Sequence, residues 1–281
     1  MHDSTSGASQ FERLCNGCAD VDLVRLMLEF AADRFPEGNM EACVAELDRL
    51  GEEARRALFD AARRSPSAFS QLKRLSELLY DEQGFHGATD EYYDPRNSYL
   101  NEVLRRRCGI PISLAIVYMA VAQRAGLDIY GVGTPGHFVL GCDADKRTWY
   151  IDPFSQGDVL RRDACRHRIE RLIGQPGGIS DDAFRPATAA EIAVRVLRNL
   201  KAAHALQDEW QALLPVQQRL VALLPDEPSE RRDLGLIHLR CGNAPAAIRW
   251  LEPFVEQGSS DEAAQLAPYL RSAWRLLVEQ N

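Results

Sequence analysis

His137 and Asp152 stand fifteen residues apart in TPGHFVLGCDADKRTWYIDPF, the segment from Thr134 to Phe154. A histidine followed by an aspartate on two paired strands supplies a general base and the carboxylate that fixes its tautomer. The flanking residues fit such a hairpin. Phe138–Cys142 and TWYI (Thr148–Ile151) have strand composition, and DADK between them reads as a turn. A turn over Asp143–Lys146, or over Ala144–Asp145 alone, predicts one register: Cys142 opposite Arg147, Leu140 opposite Trp149, Phe138 opposite Ile151 and His137 opposite Asp152. Directly opposed residues lie within side-chain reach, with Cβ atoms roughly 4.5–5.5 Å apart. The alternative is an ordinary polar pair at a sheet edge.

A nucleophile would complete a triad. Such a group gains from a helix start, where free N–H groups and the dipole favour developing negative charge. CGIPISLA offers that place, because Pro111 suits the first helical position and Ser113 falls inside the first turn. The competing role for Ser113 is capping, its hydroxyl accepting from a backbone N–H. Cys108 and Cys142 are rival nucleophiles. Cys142 lies too far along the hairpin from His137 to share its proton, and Cys108 precedes the turn. Both read better as small apolar fillers. In RNSYLN, Asn97, Tyr99 and Asn101 are candidates for the approach to a substrate groove, with helix capping the preferred role for Asn97.

The elements that must position these groups follow from periodicity. Leu23, Leu26, Met27 and Phe30 share one helical face. Pro36 and Gly38 end that helix and Asn39 caps the next, MEACVAELDRL. EEARRALFDAARR and SAFSQLKRLSELLY read as two more. DEQGFHGATDEYYDPRNSYL has loop composition, NSYLNEVLRRR returns to helix, and Gly109 breaks it. PISLAIVYMAVAQRA, from Pro111 to about Ala125, is apolar almost all round, which predicts a buried helix that exits at Gly126. LDIYGVG, the hairpin and a short segment near Val159 supply strands. The expected first domain is therefore α+β, with helices leading a small antiparallel sheet over residues 20–185, behind a flexible tail at 1–19.

From 186 to 281 the pattern is helical and repeats at a spacing of 34. Leu200 matches Leu234, His204 matches His238, Trp210 matches Ala244, Leu213 matches Ala247, Leu220 matches Phe254 and Pro225 matches Ser259. Thirty-four is the tetratricopeptide period. The two histidines read as packing residues, and DEAAQLAPYLRSAWRLLVEQ as a terminal capping helix.

Composition bounds the functional classes. The 281 residues are 46% apolar, ample for a core, and the net charge of −8 argues against general nucleic-acid binding. MHDSTSGASQ lacks the apolar core of a signal peptide, and no apolar run is long enough to span a membrane. Seven cysteines without a framework suit free thiols in a reducing cytoplasm. The lone Cys15–Cys18 CxxC has no second pair to complete a zinc site. With no GxxxxGK[ST] and no HExxH, neither cofactor nor metal is expected.

The stretches YYDPRNSYLNEVLRRRCGIPISLAIVY, GVGTPGHFVLG, YIDPFSQG and LLPDEPSERRDLGLIHLRCGN resemble the SirB-type transglutaminase-like proteins, bacterial chains that join such a domain to tetratricopeptide repeats. The likeness spans roughly Leu23 to Gln257. It implies a core shared with papain-type proteases, followed by an all-α repeat domain. It also places the family's Cys position on Ser113, its His on His137 and its Asp on Asp152. Serine cannot ionise as a cysteine can beside an imidazole. The expected function is therefore a protein- or peptide-binding module with a degenerate triad, its partner held by the repeats. The alternative is an amidohydrolase or acyl transferase that uses Ser113, His137 and Asp152. Neither substrate, partner nor oligomeric state follows from the sequence.

Overall fold

The computed structural model describes residues 8–280, and Met1–Gly7 of the expected tail lie outside them. Residues 10–15 are not a flexible tail. Gln10–Cys15 form a short helix, α1, closed by a capping box in which Ser9 and Glu12 satisfy each other's backbone N–H. Glu29 on α2 (Leu23–Ala32) accepts from the Gln10 and Phe11 N–H groups at 2.7 and 3.0 Å and pins α1 down. The predicted apolar face of α2 is buried at Leu26, Met27 and Phe30.

The two helices expected after Asn39 are one, α3 (Met40–Arg64), which runs unbroken through Gly51. The glycine is there for packing. A Cβ at Gly51 would lie 2.3 Å from the Cβ of Arg124, while Leu47, Leu50 and Ala54 continue one fully buried stripe past it. Tertiary packing outweighs the roughly 1 kcal/mol helix penalty of a glycine. Next, α4 (Ala68–Ser76) widens into a π-helical turn, Glu77–Glu82, closed by an i→i+5 bond from Gln83 N–H to Leu78 O.

The loop that follows carries a two-residue strand, β1 (His86–Gly87), and a 3₁₀ turn, Pro95–Asn97. After α5 (Leu100–Arg106), β2 (Cys108–Gly109) pairs parallel with β1. The helix expected at Pro111 is α6 (Pro111–Arg124), buried on nearly every side.

The remaining strands form one antiparallel sheet in chain order: β3 (Tyr130–Val132), β4 (Val139–Ala144), β5 (Arg147–Asp152) and β6 (Asp158–Leu160). The hairpin register differs from the expected one by two residues. Leu140 faces Ile151, Cys142 faces Trp149 and Ala144 faces Arg147. The turn is Asp145–Lys146 alone, with φ of 53° and 62°. Two positive φ values give the tight turn whose twist matches the strands, and that choice moved the register. Because side chains alternate with period two, a two-residue slip keeps every residue on its expected face. Behind the sheet, α7 (Arg162–Ile173) contributes Cys165 and Ile169 to a core with Val132, Val139, Tyr150, Ile179 and Phe184.

The chain divides into two units, one ending at Val196 and one starting at Leu197, within α8 (Ala189–Leu206). After α8 come α9 (Trp210–Leu223), α10 (Pro228–Arg240), α11 (Ala244–Gln257) and α12 (Ser260–Glu279). The 34-residue period is physical. Helices α8 and α10 end at Leu206 and Arg240, and α9 and α11 start at Trp210 and Ala244. Asp208 and Gly242 occupy the same left-handed position after the first helix of each pair. Glu209 N–H bonds to His204 O as Asn243 N–H bonds to His238 O. Leu200, Leu234, His204 and His238 are all buried, as packing residues should be.

Candidate functional site

His137 enters the sheet from the loop Gly133–Phe138. That loop turns at Gly136, whose φ is 66° and where a Cβ would press on Ile173. Only a glycine meets both demands cheaply. Thr134, fully buried, donates its hydroxyl to His137 O at 2.9 Å and fixes the backbone. Asp152 closes β5 and caps the 3₁₀ turn Pro153–Ser155, accepting on Oδ1 from the Phe154 and Ser155 N–H groups.

His137 Nε2 and Asp152 Oδ1 are 2.9 Å apart. Register did not join them. The β4–β5 ladder stops at the pair Leu140–Ile151, and continuing it would set His137 against Phe154. The imidazole instead reaches sideways to the carboxylate at the strand end. Ser155 Oγ at 2.9 Å and Arg168 Nη1 at 3.2 Å donate to Asp152 Oδ2. Burial is the largest influence on Asp152 and opposes its ionisation. The hydrogen bond and charge of His137, with the donors from Ser155 and Arg168, together outweigh it and hold the carboxyl at about 2. An ionised Asp152 requires Nε2 to carry the ring proton, so in the neutral ring Nδ1 is the basic atom. Nδ1 makes no hydrogen bond among the described residues.

Ser113 is 1% exposed, in the first turn of α6 as expected. Its Oγ accepts from Ile110 N–H at 3.0 Å, with Asn97 O at 2.6 Å and Ile110 O at 3.1 Å as acceptors for its proton. All three partners are backbone groups. The structure thus brings His137 and Asp152 together and gives Ser113 a cap instead of a hydrogen bond to His137.

Two of the three candidate groove residues make internal contacts. Asn97 is fully buried. It donates to the carbonyls of Glu91 and Tyr92 and accepts from Arg106, stitching the loop to α5 rather than capping the helix. Tyr99 is buried edge-on against Phe35, with ring centroids 5.4 Å apart. Asn101 is half-buried, and its Oδ1 has no hydrogen-bond partner. Burial pushes the Cys108 thiol up, and the Cys142 thiol up to about 11. Neither is poised as a thiolate.

Sequence reasoning missed Ser155, Arg168 and Phe154. Ser155, three residues after Asp152, carried the one local signal, a hydroxyl at capping distance. Phe154 packs edge-on to His137 at 6.4 Å and to Tyr92 at 6.1 Å, so an aromatic wall flanks the imidazole. Arg195 was also missed, since nothing local marks a helical arginine that reaches back some sixty residues. It donates Nη1 to Thr134 O at 2.8 Å and lies over the Phe138 ring. Among the described residues, no cluster of three His, Cys, Asp or Glu could hold a metal ion.

A helix-led antiparallel sheet that presents a His–Asp pair, followed by 34-residue helical repeats, defines a class. Residues 41–198 match the transglutaminase-like superfamily and residues 200–271 match the tetratricopeptide repeat. The chain belongs to the transglutaminase-like superfamily and groups with the UPF0162 and SirB1 proteins. A UPF0162 protein of Vibrio cholerae is 30% identical over 259 residues, 90% of this chain and 93% of the relative. One from Xylella fastidiosa is 37% identical over 191 residues, 66% of this chain and 67% of the relative. Protein SirB1 of Salmonella typhimurium is 27% identical over 197 residues, 70% of this chain and 73% of the relative. No solved structure matches.

Proposed function

We propose that this protein binds an extended peptide or protein segment, and that Ser113, His137 and Asp152 occupy triad positions without catalysing acyl transfer. The observation that carries this reading is the Ser113 hydroxyl, which is committed to Ile110 N–H and Asn97 O. Attack on an acyl carbon needs that proton handed to an imidazole. Here it has two carbonyl acceptors and sits in a pocket where serine is only 1% exposed.

The repeats support a binding role, since stacked helix pairs expose extended grooves. Lys201, Trp210, Leu213, Ile237 and Tyr269 line a cavity of about 250 Å³ in the second unit. Its mixed lining suits a peptide side chain, and the partner is a protein rather than a nucleic acid, in keeping with the net charge of −8. Among the described residues, no helix is long and apolar enough to cross a membrane. The cysteines of the described residues are all free, which suits the cytoplasm as its compartment.

One observation favours a second reading, a hydrolase or acyl transferase. Asp152 is held ionised on His137 Nε2, leaving Nδ1 as a base. The two readings part on Ser113→Ala. The binding reading expects the full chain to capture the same peptides from a random pool, and to cleave activated acyl esters and anilides no faster than the variant. Turnover that is lost in Ser113→Ala would establish the enzyme instead.

A further inference from the structure

A cavity of about 490 Å³ opens on the loop that carries His137. Gly133, Thr134 and Phe138 form one side, and α8 forms the other through Arg195. Arg195 is half-buried, and burial pulls its guanidinium below the ordinary arginine value. A desolvated cation normally has a carboxylate beside it. Among the described residues, Arg195 forms no ion pair. Its partners are the Thr134 carbonyl, the Phe138 ring and, at longer range, the Tyr92 phenol.

The other charges on the cavity wall are already matched. Glu191 is held by Arg185 and by Thr188 N–H. Asp182 lies 4.0 Å from Arg185 and is itself largely in water. Thr134 O accepts from both Arg195 Nη1 at 2.8 Å and His137 N–H at 3.4 Å. The unpaired cation is therefore one carbonyl away from the imidazole backbone.

We propose that this cavity binds the C-terminal carboxylate of a peptide, with Arg195 as its counter-ion and the preceding residues laid along the Gly133–Gly136 stretch that lines it. Nη1 is engaged, so Nε and Nη2 remain as a donor pair, and a planar carboxylate fits two parallel N–H groups. Charge selects a monoanion. The wall's two carboxylates, Asp182 and Glu191, and its two guanidiniums, Arg185 and Arg195, sum to zero, so a carboxylate leaves one excess negative charge in the cavity and a phosphate dianion two. The proposal rests on the peptide-binding reading above and names the end of the chain that is held.

The test uses the full chain and two pools of fluorescein-labelled random hexapeptides, one of free acids and one of C-terminal amides, read by anisotropy. The acid pool is expected to bind about ten-fold tighter than the amide pool, the scale of a charge-assisted hydrogen-bond pair. Arg195→Gln should bring the two pools within about two-fold, the acid pool losing about ten-fold in affinity and the amide pool clearly less. Arg195→Lys, which keeps the charge but loses the fork, should retain part of the preference and serves if Arg195→Gln does not fold. A purely structural role for Arg195 would weaken both pools equally, and that result overturns the proposal. Equal binding of the pools by the native chain overturns it too, while peptide binding itself survives. If neither pool binds, both readings fall. Inorganic phosphate displacing the acid pool at lower concentration than acetate would refute the monoanion assignment.

Discussion

His137 and Asp152 meet at 2.9 Å although neither faces the other in the hairpin ladder. The contact depends on Asp152 closing its strand and turning, so that one carboxylate caps the Pro153–Ser155 turn and receives the imidazole at once.

That double use predicts an acid-labile fold. The Asp152 carboxyl falls from 3.8 when unfolded to about 2 when folded. A depressed folded pKa contributes stability that is present above the unfolded value and lost as pH falls through the folded one. Between pH 4 and pH 2 the native chain should lose about 2 kcal/mol through this group. Urea midpoints across that range should fall less steeply for Asp152→Asn than for the native chain. Parallel slopes would show that the carboxylate gains nothing from its donors.

Ser113→Ala should lower stability by about 1–2 kcal/mol, the scale of a lost helix cap with a buried N–H left poorly paired. Chemical denaturation measures it. Ser113→Cys carries a sharper expectation. A thiol facing backbone carbonyls, without the imidazole, should react with iodoacetamide at pH 6 no faster than the native cysteines, and His137→Ala should not change its rate. Mass spectrometry of the modified peptide identifies the site. Fast labelling that depends on His137 would mean the two groups are coupled after all.

Lys146 sits at φ 62° in the two-residue turn. Lys146→Gly removes a left-handed strain of about 1 kcal/mol while adding some unfolded-state entropy. A net gain of roughly 0.5 kcal/mol is expected, with the register of Ala144 opposite Arg147 unchanged. Thermal denaturation reads the gain. A loss would mean that the Lys146 side chain holds the turn.

In the repeat unit, Glu230 is buried with Lys201 Nζ at 2.6 Å and Gln217 Nε2 at 2.9 Å. Gln217 stands where the next repeat has Leu251, so an apolar layer is replaced by a polar network. Lys201→Met should cost about 3 kcal/mol, because Glu230 loses its nearest cation in a buried site. Adding Glu230→Leu should recover most of that loss. If the double variant is no better than the single one, the Lys201 stem rather than its charge is what matters.

Much of this molecule was legible from local pattern. The apolar girdle of α6, its start at Pro111, the strand segments and the 34-residue period are all set by the order of side chains along the chain. An amphipathic or uniformly apolar run has few ways to bury itself. His137 and Asp152 were read as a pair from a register that the structure shifts by two residues; the shift preserves faces, but it is the strand end at Asp152 that brings the carboxylate to the imidazole. What tertiary structure alone decided lies where two distant segments compete for one atom. Gly51 reads as a break until Arg124 is packed against it. Ser113 reads as a nucleophile until the carbonyl of Asn97, sixteen residues earlier, takes its proton. Arg195 has no local signature at all, because its meaning comes from Thr134 and from the lack, among the described residues, of a carboxylate at its side. Sequence order sets which faces are apolar. The fate of each polar atom depends on which partner folding brings within three ångströms, and no periodicity encodes that.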